Sequence, residues 1–222
     1  MGVAKPRHVA TPPMEESTPR AELLSALTTE HFVLQNAFSS TISEAAARST
    51  LYVMALSSSL VAMGFLSTSG ELFAAFVATA LPAIFLLGLF TVVRLVDTSL
   101  ENMHYLRGIA RIRGYYRGLG GDAARHFAPE RGRWPEIESP GERLGRLLAF
   151  LGTTASMIAV INNVVAGVGV ALWVQAVRPG RWLGIGIGIG VAVALALTAA
   201  FLAYQRWRFA PFVDAGPIRG EP

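Results

Sequence analysis

Charged and apolar positions along this chain fall into long blocks. Arg48 and Glu71 enclose 22 residues without a charge, and Glu71 and Arg94 enclose another 22. Arg146 and Arg178 enclose 31, and Arg181 and Arg206 enclose 24. A membrane-spanning helix needs roughly 20 predominantly apolar residues, so each block predicts one span. The pattern predicts an all-α, polytopic helical membrane protein with four transmembrane helices in two in-out-in hairpins and cytoplasmic helical extensions. Residues 1–20, rich in Pro, Ser and Thr, read as a disordered arm. Residues 21–118 read as a cytoplasmic helix, the first hairpin and a juxtamembrane helix. Residues 119–145 read as a cytoplasmic loop, 146–208 as the second hairpin, and 209–222 as a tail.

Within the blocks the small residues are periodic. In the third span Ala155, Ala159, Asn163, Gly167 and Ala171 follow one another at intervals of four. The fourth contains "GIGIGIG", which alternates like a strand. A lone strand in lipid would leave its backbone polar groups unsatisfied, so the segment must be helical. At helical pitch it becomes two stripes, one through Gly184 and Gly188 and the other through Gly186 and Gly190. Small residues let helix backbones approach closely. The fourth span is therefore expected to be sandwiched between the third and a further helix or a second protomer.

The second span carries Pro82, which removes a backbone hydrogen bond and reads as a bend or hinge. Asn162 and Asn163 are the most polar residues inside the third span. They are expected to bond between helices, with lining a pathway the alternative, and Ser57, Ser58 and Ser59 of the first span could join either arrangement. Before the first span, Leu34, Phe38, Ile42 and Ala45 make one apolar face, which could lie on the bilayer surface or, the favoured reading, pack on another cytoplasmic helix. Glu44 and Arg48, four apart, are placed to pair.

Composition and charge then orient the chain. It is 52% hydrophobic and 15% charged, against about a quarter charged in soluble domains. All basic residues but Lys5 are arginine, and alanine and glycine abound, as in a GC-rich bacterial genome. Nine arginines lie between the second and third spans, and the two hairpin tips carry none and two. Loops rich in Lys and Arg stay cytoplasmic, so both termini are expected inside the bacterial inner membrane, with anionic lipid as a partner.

The absence of cysteine excludes disulfides and thiolate chemistry. The four histidines lack metal-ligand spacing, and no nucleophile-elbow, metalloprotease or phosphate-loop pattern is present. No catalytic residue, metal or cofactor is expected, and nucleic acid is not an expected partner. The remaining chemistry is cationic: Arg107, Arg111, Arg113 and Arg117 ladder along the helix after the second span, beside Tyr115 and Tyr116. Guanidinium forks suit phosphate, and the rings offer stacking faces, which together suggest a nucleotide-like anion.

"TTEHFVLQ" (28–35), "SE" (43–44), "LPAIFLLGLFTVVRLVDTS" (81–99) and "IRGYYR" (112–117) together resemble a family of small, uncharacterised actinobacterial four-span membrane proteins. More distantly, the layout resembles the Pycsar and SLATT-type transmembrane effectors of antiphage defence. That likeness implies membrane helices whose cytoplasmic helical part responds to a nucleotide second messenger. The expectation is a homo-oligomeric, non-enzymatic membrane effector or pore-like protein. A scaffold or accessory subunit is the alternative, and a small-molecule transporter a further one.

Overall fold

A computed structural model describes residues 19–127, 153–177 and 183–214. Among these residues the chain is helical, with no strand. α1 (Pro19–Leu66) and α2 (Gly70–Arg117) are 48 residues each. α3 (Asp122–His126) is a short turn of helix, followed by α4 (Thr154–Val177) and α5 (Leu183–Asp214). Four of the five, all but α3, are long and apolar enough to cross a membrane. The chain is a multi-pass membrane protein.

α1 and α2 form an antiparallel hairpin closed by a tight turn at Ser67–Ser69, where the Ser69 amide donates to the Leu66 carbonyl. At 1.5 Å per residue each is about 72 Å long, more than twice the roughly 30 Å of a hydrocarbon core. The charge-free stretches occupy the half nearest the turn; the other half is a two-helix stalk. The covered side of α1 follows one seam: Leu24, Leu27, His31, Leu34, Phe38, Thr41, Ala45 and Tyr52 are its buried or half-buried positions, spaced by threes and fours up to Ala45. Such alternation keeps a seam facing its partner along a supercoiled pair. Leu34 packs so tightly on Gly108 that a β-carbon there would lie 2.8 Å from Leu34 Cδ1. The helix before the first span therefore packs on α2, as its apolar face suggested, although Ile42 at the edge of that face is exposed.

α4 and α5 form the second hairpin. The expected glycine contact is present, but only on one side of α5. Gly190 and Gly167 touch backbone to backbone: a β-carbon on either would collide with the carbonyl oxygen of the other. Gly186 lies against Ala171 and Val174. Gly184 and Gly188 have nothing within 4 Å of where a β-carbon would sit. Hence the sandwich reading holds for one stripe, and the second is uncovered in the protomer. The third-span stripe also divides. Successive i, i+4 steps drift 40° around a helix, so Ala155 and Ala159 turn into the core with α2 while Gly167 faces α5.

Between the hairpins, Tyr52, Leu81, Ile84, Val92, Leu95, Val96, Ala155, Ile158 and Ala159 build the core. Phe201, Tyr204 and Phe209 of α5 pack on it. Two exposed tryptophans sit towards opposite ends of the second hairpin: Trp173 is 68% exposed and Trp207 70%. The pairings of Ser156 with Gln205 and Asn163 with Thr198 place Trp173 about 20 residues, or about 30 Å, from the level of Trp207. That is the hydrocarbon thickness, and tryptophan favours its two edges.

Two boundaries differ from those read in the sequence. The 119–145 segment begins with helix α3, so Asp122 and His126 share one helical turn; residues beyond 127 lie outside the described part. α5 continues through Pro211 to Asp214 rather than ending at 208. At Pro82, read as a bend or hinge within the second span, α2 continues as one helix and the proline is exposed.

Substituting Gly190 with Val should cost about 1–3 kcal/mol through overpacking against the Gly167 backbone, whereas Gly184→Val should be nearly neutral. Thermal unfolding of both variants in one detergent checks the difference.

Candidate functional site

Three polar assemblies stand out in this apolar protein. The first lies inside the membrane. Asn162 of α4 is 2% exposed and sits in the hollow that Gly88 leaves on α2; a β-carbon on Gly88 would strike its amide oxygen. Its Nδ2 donates to the Phe85 carbonyl at 3.2 Å, and its Oδ1 accepts from the Tyr52 hydroxyl at 3.2 Å. One amide therefore ties three helices. Asn163 points the other way and donates to Thr198 Oγ1 at 3.1 Å. Near the stalk end of α4, Ser156 donates to Gln205 Oε1 and Gln205 Nε2 donates to Thr153 Oγ1, both at 3.2 Å. Thr153 also accepts the Ser156 backbone amide, a helix N-cap. Ser57 and Ser58 are exposed and do not join this network. Tyr52 does, and sequence reading missed it because a tyrosine at a seam position looks like ordinary core.

The second assembly is an ionic belt where the stalk meets the spans. Arg94 grips Glu44 with two bonds, Nε to Oε1 at 2.9 Å and Nη2 to Oε2 at 3.1 Å. Its Nη1 reaches Glu101 at 3.0 Å. Arg48 Nε adds a bond to Glu44 at 2.8 Å, the expected i, i+4 pair. Across the molecule Arg208 of α5 pairs with Asp97 of α2. Thr41 donates to the Asn102 side chain on the stalk side of the belt. The Arg94 and Arg48 hydrogen bonds hold the Glu44 carboxyl down at about 2, from an ordinary 4.5, against a smaller opposing effect of desolvation.

The third assembly is the far end of the stalk. Gly120 and Gly121 adopt positive φ of 83° and 57°, a conformation open to glycine, and turn the chain back. Phe127 thereby stacks on Tyr116 at 5.1 Å, and the Arg113 guanidinium lies over the Phe127 ring at 5.7 Å, a cation–π contact. The Tyr116 hydroxyl shares a 3.2 Å hydrogen bond with Thr28 of α1. The six residues expected to bind an anion thus divide over two sides of α2. Arg113, Tyr116 and Arg117 lie toward the tip packing, and Tyr115 meets Tyr116 edge-on. Arg107, Arg111 and Tyr115 follow at i, i+4 and i+8 along the other side, with Arg111 exposed and unpaired among the described residues. Ring faces expected for base stacking are partly taken by Phe127.

Among the described residues no group of His, Asp and Glu is placed to hold a metal. No family model, curated protein or solved structure matches this chain.

Replacing Asn162 with Leu should cost about 1–2 kcal/mol, and adding Tyr52→Phe to that variant should cost little more, because its hydroxyl partner is already gone. A double-mutant cycle by thermal unfolding checks this. The belt carries a pH signature. Because the folded Glu44 value lies below the ordinary one, its pairing contributes fully above pH 4.5 and is lost as the pH falls towards 2. The melting-temperature gap between wild type and Glu44→Gln should be steady at neutral pH and close across that interval.

Proposed function

We propose that this chain is a non-enzymatic membrane effector, pore-like in action, whose stalk receives an anionic, nucleotide-like signal in the bacterial cytoplasm. The observation that carries the reading is the continuity of α2. One uninterrupted helix holds the Pro82 span, the belt residues Arg94, Asp97 and Glu101, and the Arg107–Arg111–Tyr115 face. A ligand bound to that face acts on the same rigid body that lines the core of the membrane domain. Both termini and the stalk face the cytoplasm in this reading, by the concentration of arginine there.

The receiving surface is Arg107 with Arg111, one helical turn apart, and Tyr115 one turn further. Guanidinium groups at that spacing suit the oxygens of a phosphate ester. Arg113 has a different task, holding Phe127 over the stalk tip. The resemblance to antiphage transmembrane effectors supports a nucleotide as the signal. The intramembrane amides support an effector over a transporter, since Asn162 and Asn163 spend their hydrogen bonds on neighbouring helices instead of lining a path.

The test is thermal stability of the detergent-purified protein against cyclic and linear nucleotides, with polyphosphate as the anion control. A ligand at about 100 times its dissociation constant contributes about 2.7 kcal/mol. A shift with one nucleotide and none with polyphosphate is expected. Arg111→Gln should abolish it, while Arg113→Gln should lower the baseline stability and leave the ligand shift. Equal shifts with every polyanion would reduce the arginines to a general charge patch.

A further inference from the structure

Between Glu101 and Asp122 the chain has no acidic residue and four arginines, Arg107, Arg111, Arg113 and Arg117. Arg113 is engaged by the Phe127 ring, and Glu101 by Arg94. The other three guanidinium groups stand at the stalk end of α2. Gly114 lies seven residues after Arg107 and three after Arg111, a spacing that puts all three on one face. Arg117 starts from the neighbouring side, but long side chains on a helix lean back over the preceding turn. Its Nη2 accordingly lies 3.9 Å from where a β-carbon on Gly114 would sit, and no other described group comes within 4 Å of that point. The glycine leaves a bare stretch of backbone, and the Arg117 head rests over it.

The three heads are thus spread along the helix. From Arg107 to Gly114 is seven residues, about 10 Å at 1.5 Å each. Arg107 and Arg111, one turn apart, can converge on a single phosphate, and the Arg117 head lies a turn further on. The carbonyl end of α2 opposes an anion there with roughly half a charge, which one full guanidinium charge outweighs. Tyr115, exposed beside this row, leaves a ring face for a base.

We propose that Gly114 and Arg117 form a second phosphate position, so that the stalk takes a nucleotide with two phosphate groups in preference to one with a single phosphate. This rests on the reading of Arg107, Arg111 and Tyr115 as the receiving surface and adds what the signal carries. Arg107 and Arg111 hold the first phosphate by charge-assisted bonds. Arg117 holds the second, and the missing side chain of Gly114 lets that phosphate come down to the helix backbone beneath the guanidinium. A cyclic monophosphate has one phosphate and leaves this second position unfilled.

The full-length protein in detergent is titrated with nucleoside 5′-monophosphates, the matching 5′-diphosphates and the 3′,5′-cyclic monophosphates of the common bases, with thermal unfolding as the readout. For the base that binds, the 5′-diphosphate should bind about tenfold tighter than either monophosphate, the gain expected of one further charged hydrogen bond. Arg117→Gln should bring the diphosphate down to the level of the monophosphate and leave the monophosphate unchanged. Gly114→Leu should do the same without removing a charge, and unfolding without ligand verifies that both variants are folded. Arg113→Gln removes the same charge as Arg117→Gln and should leave the preference. Arg111→Gln should abolish binding of both, as the receiving surface requires. Equal binding of monophosphate and diphosphate, or a preference untouched by Arg117→Gln, would overturn the second position while the receiving surface stands. No shift with any nucleotide would overturn both.

Discussion

A polar group buried in hydrocarbon has to find its partner inside the protein, and the Asn162 amide meets that demand by joining three helices at one point. Its nitrogen is bonded to α2 and its oxygen to α1, and it fits because Gly88 has no side chain. In lipid the apolar helices gain little from excluding tails as apolar as themselves. Close packing and satisfied polar groups are then what fix their register. With Asn162 seated, Tyr52 is fully covered, the two hairpins meet along α2 and α4, and Asn163 on the adjoining face is aimed at Thr198 of α5.

The ionic belt does similar work at the edge of the membrane. Glu44 alone on α1 would be an isolated carboxylate beside an apolar surface, and Arg94 alone on α2 an isolated guanidinium. Set opposite one another they make a two-bond clamp, with Arg48 and Glu101 on its flanks. The Asp97–Arg208 pair extends the belt to α5, so the stalk hairpin and the second hairpin are held at the same level. The side chains of Glu44 and Arg94 remain about a third exposed, which leaves the clamp open to screening by salt. α2 passes through this belt without a break on its way from the spans to its arginine face.

Much of this was legible in the sequence because it follows from local spacing. The four charge-free blocks gave the spans; helical pitch turned "GIGIGIG" into two stripes; Glu44 and Arg48 are neighbours on any helix. The pairings that bind the helices to each other were less legible, since Arg94 and Glu44 are 50 residues apart and Arg208 and Asp97 are 111 apart. A heptad seam specifies which face turns inward yet is nearly unchanged by a slide of one repeat, so sequence spacing alone does not choose the register. Gly88 was unremarkable in the sequence for the same reason: its role exists only once Asn162 lies opposite. Helical pitch alone divides the arginine cluster of α2 between two sides, but which side is covered depends on Gly120 and Gly121 turning Phe127 back onto the Arg113 and Tyr116 side.

The place of the belt along α2 has a mechanical consequence. Arg94 stands 24 residues from Gly70 and 23 from Arg117, which at 1.5 Å per residue makes arms of about 36 and 34 Å. A rigid helix pinned at its middle is a balance beam. Were α2 to tilt about that clamp, a sideways displacement of the arginine-bearing end would be matched, nearly equal in size and opposite in direction, at the Gly70 end. Clamped near an end, the same helix would magnify or diminish such a movement; clamped at its centre, it would pass it on at close to full scale.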